Sequence, residues 1–255
     1  MIFKTENTLF LQLEKLDFSL STWLEHWYPA ICDFLNISPQ SDLNAVKDID
    51  NLFKPNLRVE ELVNELKRKT AIIIAPGNSL SNETAKKIKE IKSKNVTNTV
   101  LISVDGATTF LLEQNLIPEV IISDLDGCVE DQIEAQRLGS TMIVHIHGDN
   151  LEQAKKYLPK LIKAGNVLFS TQTEELGNFR NFLGFTDGDR AVCFAVNSEI
   201  KKVILFGYDF GEKIGKYSKV NTLTKEKIGK KFQKFIIAKS IINWCSKRIK
   251  IRIKS

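Results

Sequence analysis

From about residue 68 onward the chain alternates short apolar runs with amphipathic stretches, and this alternation constrains the fold more than any other feature. The runs are TAIIIAPG (70–77), NTVLISVDG (98–106), EVIISDLDG (119–127), TMIVHIHGDN (141–150), NVLFSTQ (166–172) and KKVILFGYDFG (201–211). Their apolar residues are consecutive, which is the pattern of strands covered on both faces. Stretches of helical character, such as LSNETAKKIKEIK and LEQAKKYLPKLIK, separate them. A mostly parallel sheet covered by helices satisfies both patterns. Residues 69–255 therefore read as one Rossmann-like α/β domain, whose ligands belong beyond the carboxyl ends of the strands.

Residues 1–68 read differently. FSLSTWLEHWYPAICDFLNI and SDLNAVKDIDNLF are amphipathic and turn-punctuated, and predict a helical N-terminal region without strands. Its Trp23, Trp27, Tyr28 and Phe34 are expected to pack against the main domain or against a partner subunit, as in a homodimer. Residues 201–255 carry 16 Lys and Arg against 3 acids, whereas the first 200 residues are net acidic. There Ile228, Phe232, Phe235, Ile236, Lys239 and Ile242 fall near helical spacing with lysines between them. The basic end thus reads as the solvated face of a helix on the sheet and not as a nucleic-acid site.

With 43% hydrophobic and 26% charged residues the composition is that of an ordinary globular chain. No apolar run is long enough to span a bilayer, and no basic-then-apolar leader opens the sequence, which predicts a cytoplasmic protein without a membrane partner. Cys32, Cys128, Cys193 and Cys245 lie far apart and form no CxxC pair. Free thiols are expected, not a zinc knuckle or a disulfide framework.

The candidate chemistry stands at the strand ends, which read Gly77-Asn78-Ser79, Asp105-Gly106, Asp124-Leu125-Asp126-Gly127, His147-Gly148-Asp149-Asn150, Thr171-Gln172 and Asp209-Phe210-Gly211. One Asp-Gly is a turn or a helix cap. Four acidic ends on one edge of a sheet repel one another unless a cation lies among them, and a hard divalent ion with oxygen ligands fits best. GFTDGDRA (184–191) adds Asp187, Asp189 and Arg190 at the start of an apolar helical stretch. The absence of GxxxxGK[ST] excludes a P-loop, and no GxGxxG follows the first strand, although the amides of APGNSL suit a phosphate. The chain has three histidines, and His26 is remote from the pair His145 and His147, so a multi-histidine zinc site is excluded. His147, nearer its strand end, is the site candidate, and His145 is expected to be a buried packing residue.

Read alone, IISDLDGCV resembles the first motif of the haloacid-dehalogenase-type phosphatases, in which Asp124 would attack phosphorus and Asp126 would transfer the proton. That motif belongs on the first core strand, however, and here Cys128 stands in place of its threonine. Taken together, APGNSL, SVDGA, IPEVIISDLDG, VHIHGDN, GFTDGDRA and LFGYDFG, in this order over about residues 70–215, resemble the archaeal 6-hydroxymethyl-7,8-dihydropterin pyrophosphokinases, the MptE-like group. A more distant similarity runs to thiamine pyrophosphokinases, which share the Asp-Gly-Ala and Asp-x-Asp segments. Asn78 departs from the pattern, since a second proline is common there.

The resemblance implies Mg2+-dependent transfer of a whole diphosphate from ATP to the hydroxymethyl group of a dihydropterin, releasing AMP, in methanopterin- or folate-type pterin biosynthesis. It implies that Asp124 and Asp126 are principal metal ligands, with Asp105 and Asp149 completing the set. Asp187 and Asp189 would form a second acidic element, one of them the base for the substrate hydroxyl. Arg190 and a lysine of the basic end would hold phosphate. Gly77, Asn78, Ser79, Asp105, Gly106, His147, Asn150, Thr171, Gln172 and Asp209 would contact nucleotide or pterin. A phosphatase and a non-catalytic nucleotide- or nucleic-acid-binding module are the competing classes.

Overall fold

A computed structural model describes residues 2–94, 96–211, 215–218 and 225–254. Its centre is an eight-stranded sheet made of β1 (Thr70–Ile74), β2 (Thr99–Val104), β3 (Val120–Ser123), β4 (Thr141–His145), β5 (Val167–Ser170), β6 (Phe179–Arg180), β7 (Lys202–Phe206) and β8 (Lys250–Lys254). The spatial order is β6-β5-β4-β3-β2-β1-β7-β8, and every neighbouring pair is parallel. The six apolar runs supply six of these strands. The other two lie at the edges, where the runs give less signal. β6 is only two residues long, and β8, KIRIK, carries alternating cations that discourage further edge pairing.

The consecutive apolar residues are explained by helices on both faces. Ala71 and Ile73 of β1, Val100 and Ile102 of β2, and Val203 and Leu205 of β7 join one core with α10 (Asp187–Asn197) and α11 (Lys225–Ser246). Ile72, Ile74, Leu101, Ile204 and Phe206 face the opposite way, against α6 (Asn82–Lys94) and α7 (Ala107–Glu113). Further along that second face, Ile121, Met142 and Val144 meet α8 (Val129–Arg137) and α9 (Leu151–Ala164). On α11 the buried stripe is Ile237, Ala238, Ile241, Ile242, Trp244 and Cys245, whereas Phe232 is exposed. The stripe therefore lies later on the helix than the spacing of Phe232 and Phe235 suggested; the side chain of Ile228 lies outside the described residues.

The N-terminal segment is helical as read: α1 (Ile2–Leu13), α2 (Leu20–Thr22), a π-helical turn at Trp23–Trp27, α3 (Tyr28–Leu35), α4 (Pro39–Leu52) and α5 (Val59–Leu66). It packs against the sheet domain. Trp23 and Trp27 are fully buried in the core shared with β1, α10 and α11, and the Trp27 ring lies 5.1 Å from that of Trp244. Trp23 Nε1 donates to the carbonyl of Gln172 at 2.8 Å, and Trp244 Nε1 to that of Leu16 at 2.9 Å, so both indoles bury their polar atoms satisfied. All four cysteines are free, three of them buried. Among the described residues no helix is long and apolar enough to cross a membrane.

The order of the strands positions the site. After β1 the chain moves outward strand by strand to β6, then returns through α10 to β7 on the other side of β1. Connections leave the carboxyl ends of β1 and β7 in opposite directions, which opens a crevice between their loops. The loops approach closely there: Gly207 has φ +74°, and a Cβ on it would lie 2.0 Å from the carbonyl oxygen of Ala75. Gly207→Ala is expected to lower the unfolding free energy by about 2 kcal/mol or more, measured by urea denaturation; an unchanged midpoint would show that the loops do not meet this way.

Candidate active site

Because all strands run parallel, their carboxyl ends share one edge, and the acids that follow them converge. Asp105 follows β2 in a left-handed conformation, φ +43°, while its amide donates to the carbonyl of Ile122 at 2.9 Å. Asp124 follows β3. Asp187 arrives from another direction, at the start of α10, whose N-terminus points to the same edge. One carboxylate oxygen from each of Asp105, Asp124 and Asp187 lies within 4.8 Å of the others.

Each carboxylate is held by a different set of partners. Asp105 is 7% exposed, and its Oδ1 accepts from Ser123 Oγ at 2.9 Å, the Gly127 amide at 3.0 Å and Gln132 Nε2 at 3.1 Å. Only glycine fits at 127, since a Cβ there would lie 2.5 Å from that same oxygen. Asp124 Oδ2 lies 3.4 Å from His147 Nε2, and its Oδ1 accepts from the amide of Asp126 at 3.1 Å. Arg190, 2% exposed, donates through Nη1 to Asp187 Oδ1 at 2.6 Å and through Nη2 to the carbonyl of Phe185 at 2.8 Å. Its Nε is buried without a partner among the described residues.

The protonation equilibria follow from this geometry. Burial, then the charges of Asp126 and Asp124, push Asp105 up to about 7. Burial and then Asp124 raise Asp187 well above the ordinary carboxylate range, outweighing the pull of Arg190. Burial alone would also raise Asp124, but the hydrogen bond and charge of His147, with Arg190 and Lys234 behind it, hold that carboxyl below its usual value. Burial, helped by Arg190 and His147, lowers His145 well below its usual value and leaves it neutral. Asp105 and Asp187, their proton affinity raised by burial and by the charge of Asp124, stand with that ionised carboxylate as three oxygen donors that a hard divalent cation would relieve, so the residues fit such an ion.

Two cavities flank the carboxylates. The first, of about 240 Å3, occupies the crevice between the β1 and β7 loops. It is lined by Gly77, Gly207, Tyr208, Asp209 and Phe210 and reaches Asp105, with Lys231, Lys234 and Phe235 of α11 on its far side. The second, of about 530 Å3, lies over the ends of β3, β4 and β5. Its floor carries His145, Gln172 and Arg190, its rim Asp126, His147 and Asp149, and its far wall comes from residues 35–42 of the N-terminal helices.

Other sequence candidates take positions of several kinds. Asp126 is exposed at the mouth, close enough to Asp105 to share a hydrogen bond with it. Asp209 accepts the Ser79 amide at 2.8 Å and so locks the Gly77-Asn78-Ser79 turn, in which Asn78 is exposed. Gly106 lies against the backbone of Tyr217. Asn150 is a strut: its Nδ2 donates to the carbonyls of Asp124 and His145, both at 2.7 Å. Thr171 is buried in a hydroxyl pair with Thr173 and lines neither cavity. Asp189 is fully buried, and its two oxygens accept from the amides of Phe185 and Thr186 and from the Thr186 hydroxyl, which caps α10. Sequence reasoning passed over Ser123, Gln132 and Asp42. Ser123 adjoins the acidic motif and Gln132 lies on the helix that follows it, but nothing in the sequence marks Asp42. That carboxylate is buried and accepts from Tyr28 Oη at 2.6 Å, Gln172 Nε2 at 2.6 Å and the Gly148 amide at 2.7 Å.

The comparison with known proteins decides among the classes. The profile of the 6-hydroxymethylpterin diphosphokinase MptE-like family matches residues 44–215. The chain belongs to that family. It is 36% identical over 236 residues to a 6-hydroxymethyl-7,8-dihydropterin pyrophosphokinase of Methanocaldococcus jannaschii, covering 89% of this chain and 96% of the relative. Its identity to the Methanothermobacter thermautotrophicus protein of the same name is 34%, over 92% and 98% of the two chains. For that of Pyrococcus furiosus it is 33%, over 76% and 81%. These matches support the pyrophosphokinase reading and not the phosphatase or thiamine alternatives.

The raised Asp105 sets a pH dependence. The folded chain keeps a proton that the unfolded chain releases near pH 4, so this group's stabilising contribution is full below that pH and is lost as pH rises through about 7. Asp105→Asn keeps the Oδ1 acceptor and removes the charge. Without divalent cations the variant is expected to melt above the wild type at pH 8, with the advantage shrinking toward pH 4. A wild type that stays the more stable at pH 8 would refute the burial of that charge.

Proposed function

We propose that this chain acts as a Mg2+-dependent 6-hydroxymethyl-7,8-dihydropterin pyrophosphokinase that moves a diphosphate from ATP to the pterin hydroxymethyl group and releases AMP. The observation that carries the reading is the placement of Asp105, Asp124 and Asp187 between two cavities, one reaching Asp105, the other Asp124, and both Asp187. A transfer between two bound molecules needs two such sites meeting at one charged centre. Mg2+ held by Asp105, Asp124 and Asp187, with Asp126 at the mouth, would neutralise and align the phosphate chain.

The remaining residues position these groups. Arg190 orients Asp187, His147 orients Asp124, and Ser123, Gln132 and Gly127 orient Asp105. The first cavity joins a glycine-rich backbone to aromatic rings and two lysines, and the second offers buried polar groups. Diphosphate transfer depends mainly on positioning and electrostatics and needs no covalent nucleophile. Of the second acidic pair, Asp187 is the residue turned to the substrates, while Asp189 maintains the helix start that presents it.

Mixing the protein with ATP, Mg2+ and 6-hydroxymethyl-7,8-dihydropterin is expected to yield AMP and the pterin diphosphate, resolved chromatographically. ADP or free phosphate as the product would overturn the reading. Asp124→Asn and Asp187→Asn are each expected to cut the rate by roughly 10²-fold or more and to abolish the rise in melting temperature on adding Mg2+.

A further inference from the structure

Among the described residues only three line both cavities: Thr186, Asp187 and Lys234. A diphosphate that leaves a molecule in one cavity for a molecule in the other must pass these three. Two of them are already committed within the protein. Thr186 donates its hydroxyl to Asp189 at 2.5 Å, and Asp187 is paired with Arg190 at 2.6 Å. Lys234 is different. Among the described residues it has no hydrogen bond or ion pair; its Nζ stands 5.8 Å from the centre of the Phe185 ring, and it shares the wall of the second cavity with Asp124.

We infer that Lys234 is a catalytic residue of this reaction, its ammonium contacting the diphosphoryl group as it passes between the cavities. The inference rests on the pyrophosphokinase reading. In the step, the pterin hydroxymethyl oxygen forms a bond to the β-phosphorus while the bond from that phosphorus to the α,β-bridging oxygen breaks. The electron pair stays with the phosphate of AMP, and the hydroxyl proton passes to water. Negative charge on the β-phosphoryl oxygens is thus exposed between the two substrates, where Lys234 lines both cavities. A mobile point cation suits that place, because it can follow the group without a fixed fork geometry. Lys231, one turn earlier on α11, lines the first cavity alone and donates to Ser218 Oγ at 3.2 Å, so it faces one bound substrate only.

Steady-state kinetics of wild type, Lys234→Ala and Lys234→Arg, with AMP as the readout, test the assignment. Lys234→Ala is expected to lower kcat roughly 10²-fold while both KM values stay within about threefold. Lys234→Arg is expected to recover part of that loss by restoring the charge. The position is exposed, so circular dichroism should match wild type in both variants. A Lys234→Ala enzyme that keeps its kcat, or loses activity only through a raised KM, overturns the catalytic role and leaves the pyrophosphokinase reading standing. A wild type that makes no AMP overturns both.

Discussion

The mutual repulsion of Asp105, Asp124 and Asp187 is the constraint on which the rest of the structure depends. Two charges within 4.8 Å of each other repel by roughly 3 kcal/mol or more at an effective dielectric of about 20, and three such pairs form when all three acids are ionised. The fold offsets this in two ways. Asp105 and Asp187 shift toward their neutral forms, and Arg190 is buried beside the cluster. A buried guanidinium has its own desolvation cost, so it must be anchored. The Phe185 carbonyl accepts from its Nη2, and the Gln172 amide oxygen lies 3.5 Å from the same nitrogen. Gln172 is in turn held by Asp42 through its side chain and by Trp23 through its carbonyl. The N-terminal helices are thereby tied, bond by bond, to the acids at the edge of the sheet.

The same edge concentrates backbone strain. Asp105, Leu125 and Phe210, which lie in the loops after β2, β3 and β7, all have positive φ and are not glycine. Each costs of the order of 1 kcal/mol or more relative to an ordinary conformation. The strand ends therefore leave the sheet in sharp left-handed steps where the cavities begin, and packing beneath them sustains the conformation. Leu125 shows how: its side chain is buried against α8, and its amide donates to Ser123 Oγ at 2.9 Å.

How much of this was legible in the sequence depended on the range of the interaction. The six main strands and the helices between them are local patterns, and a chain of alternating runs has few other ways to bury both faces of each strand. The convergence of Asp105 and Asp124 could be inferred because parallel strands place all their carboxyl ends on one edge, whereas Asp187 joins them from the start of α10. The edge strands β6 and β8 were not legible: one is two residues long, and the other is largely charged because one side of it meets no neighbour. Thr171 and Asp189 look like site residues in one dimension, yet a pair of hydroxyls and a helix cap take up their polar atoms. Asp42 shows the reverse. It lies 106 residues from Gly148 and 130 from Gln172, and only the tertiary fold makes it a hub.

The Asp-x-Asp stretch that resembles a phosphatase motif shows where local reading stops. Two acids two residues apart point to the same side only if the residue between them is extended. Here Leu125 has φ +68°, and the two side chains part: Asp124 is half-buried against His147, while Asp126 is exposed at the mouth beside Asp105. The functional spacing in this chain is therefore not the two-residue interval within one loop. It is the approach of three acids from three loops to within 4.8 Å, and that approach is set by the pairing of β2 with β3 and by the seat of α10 upon them.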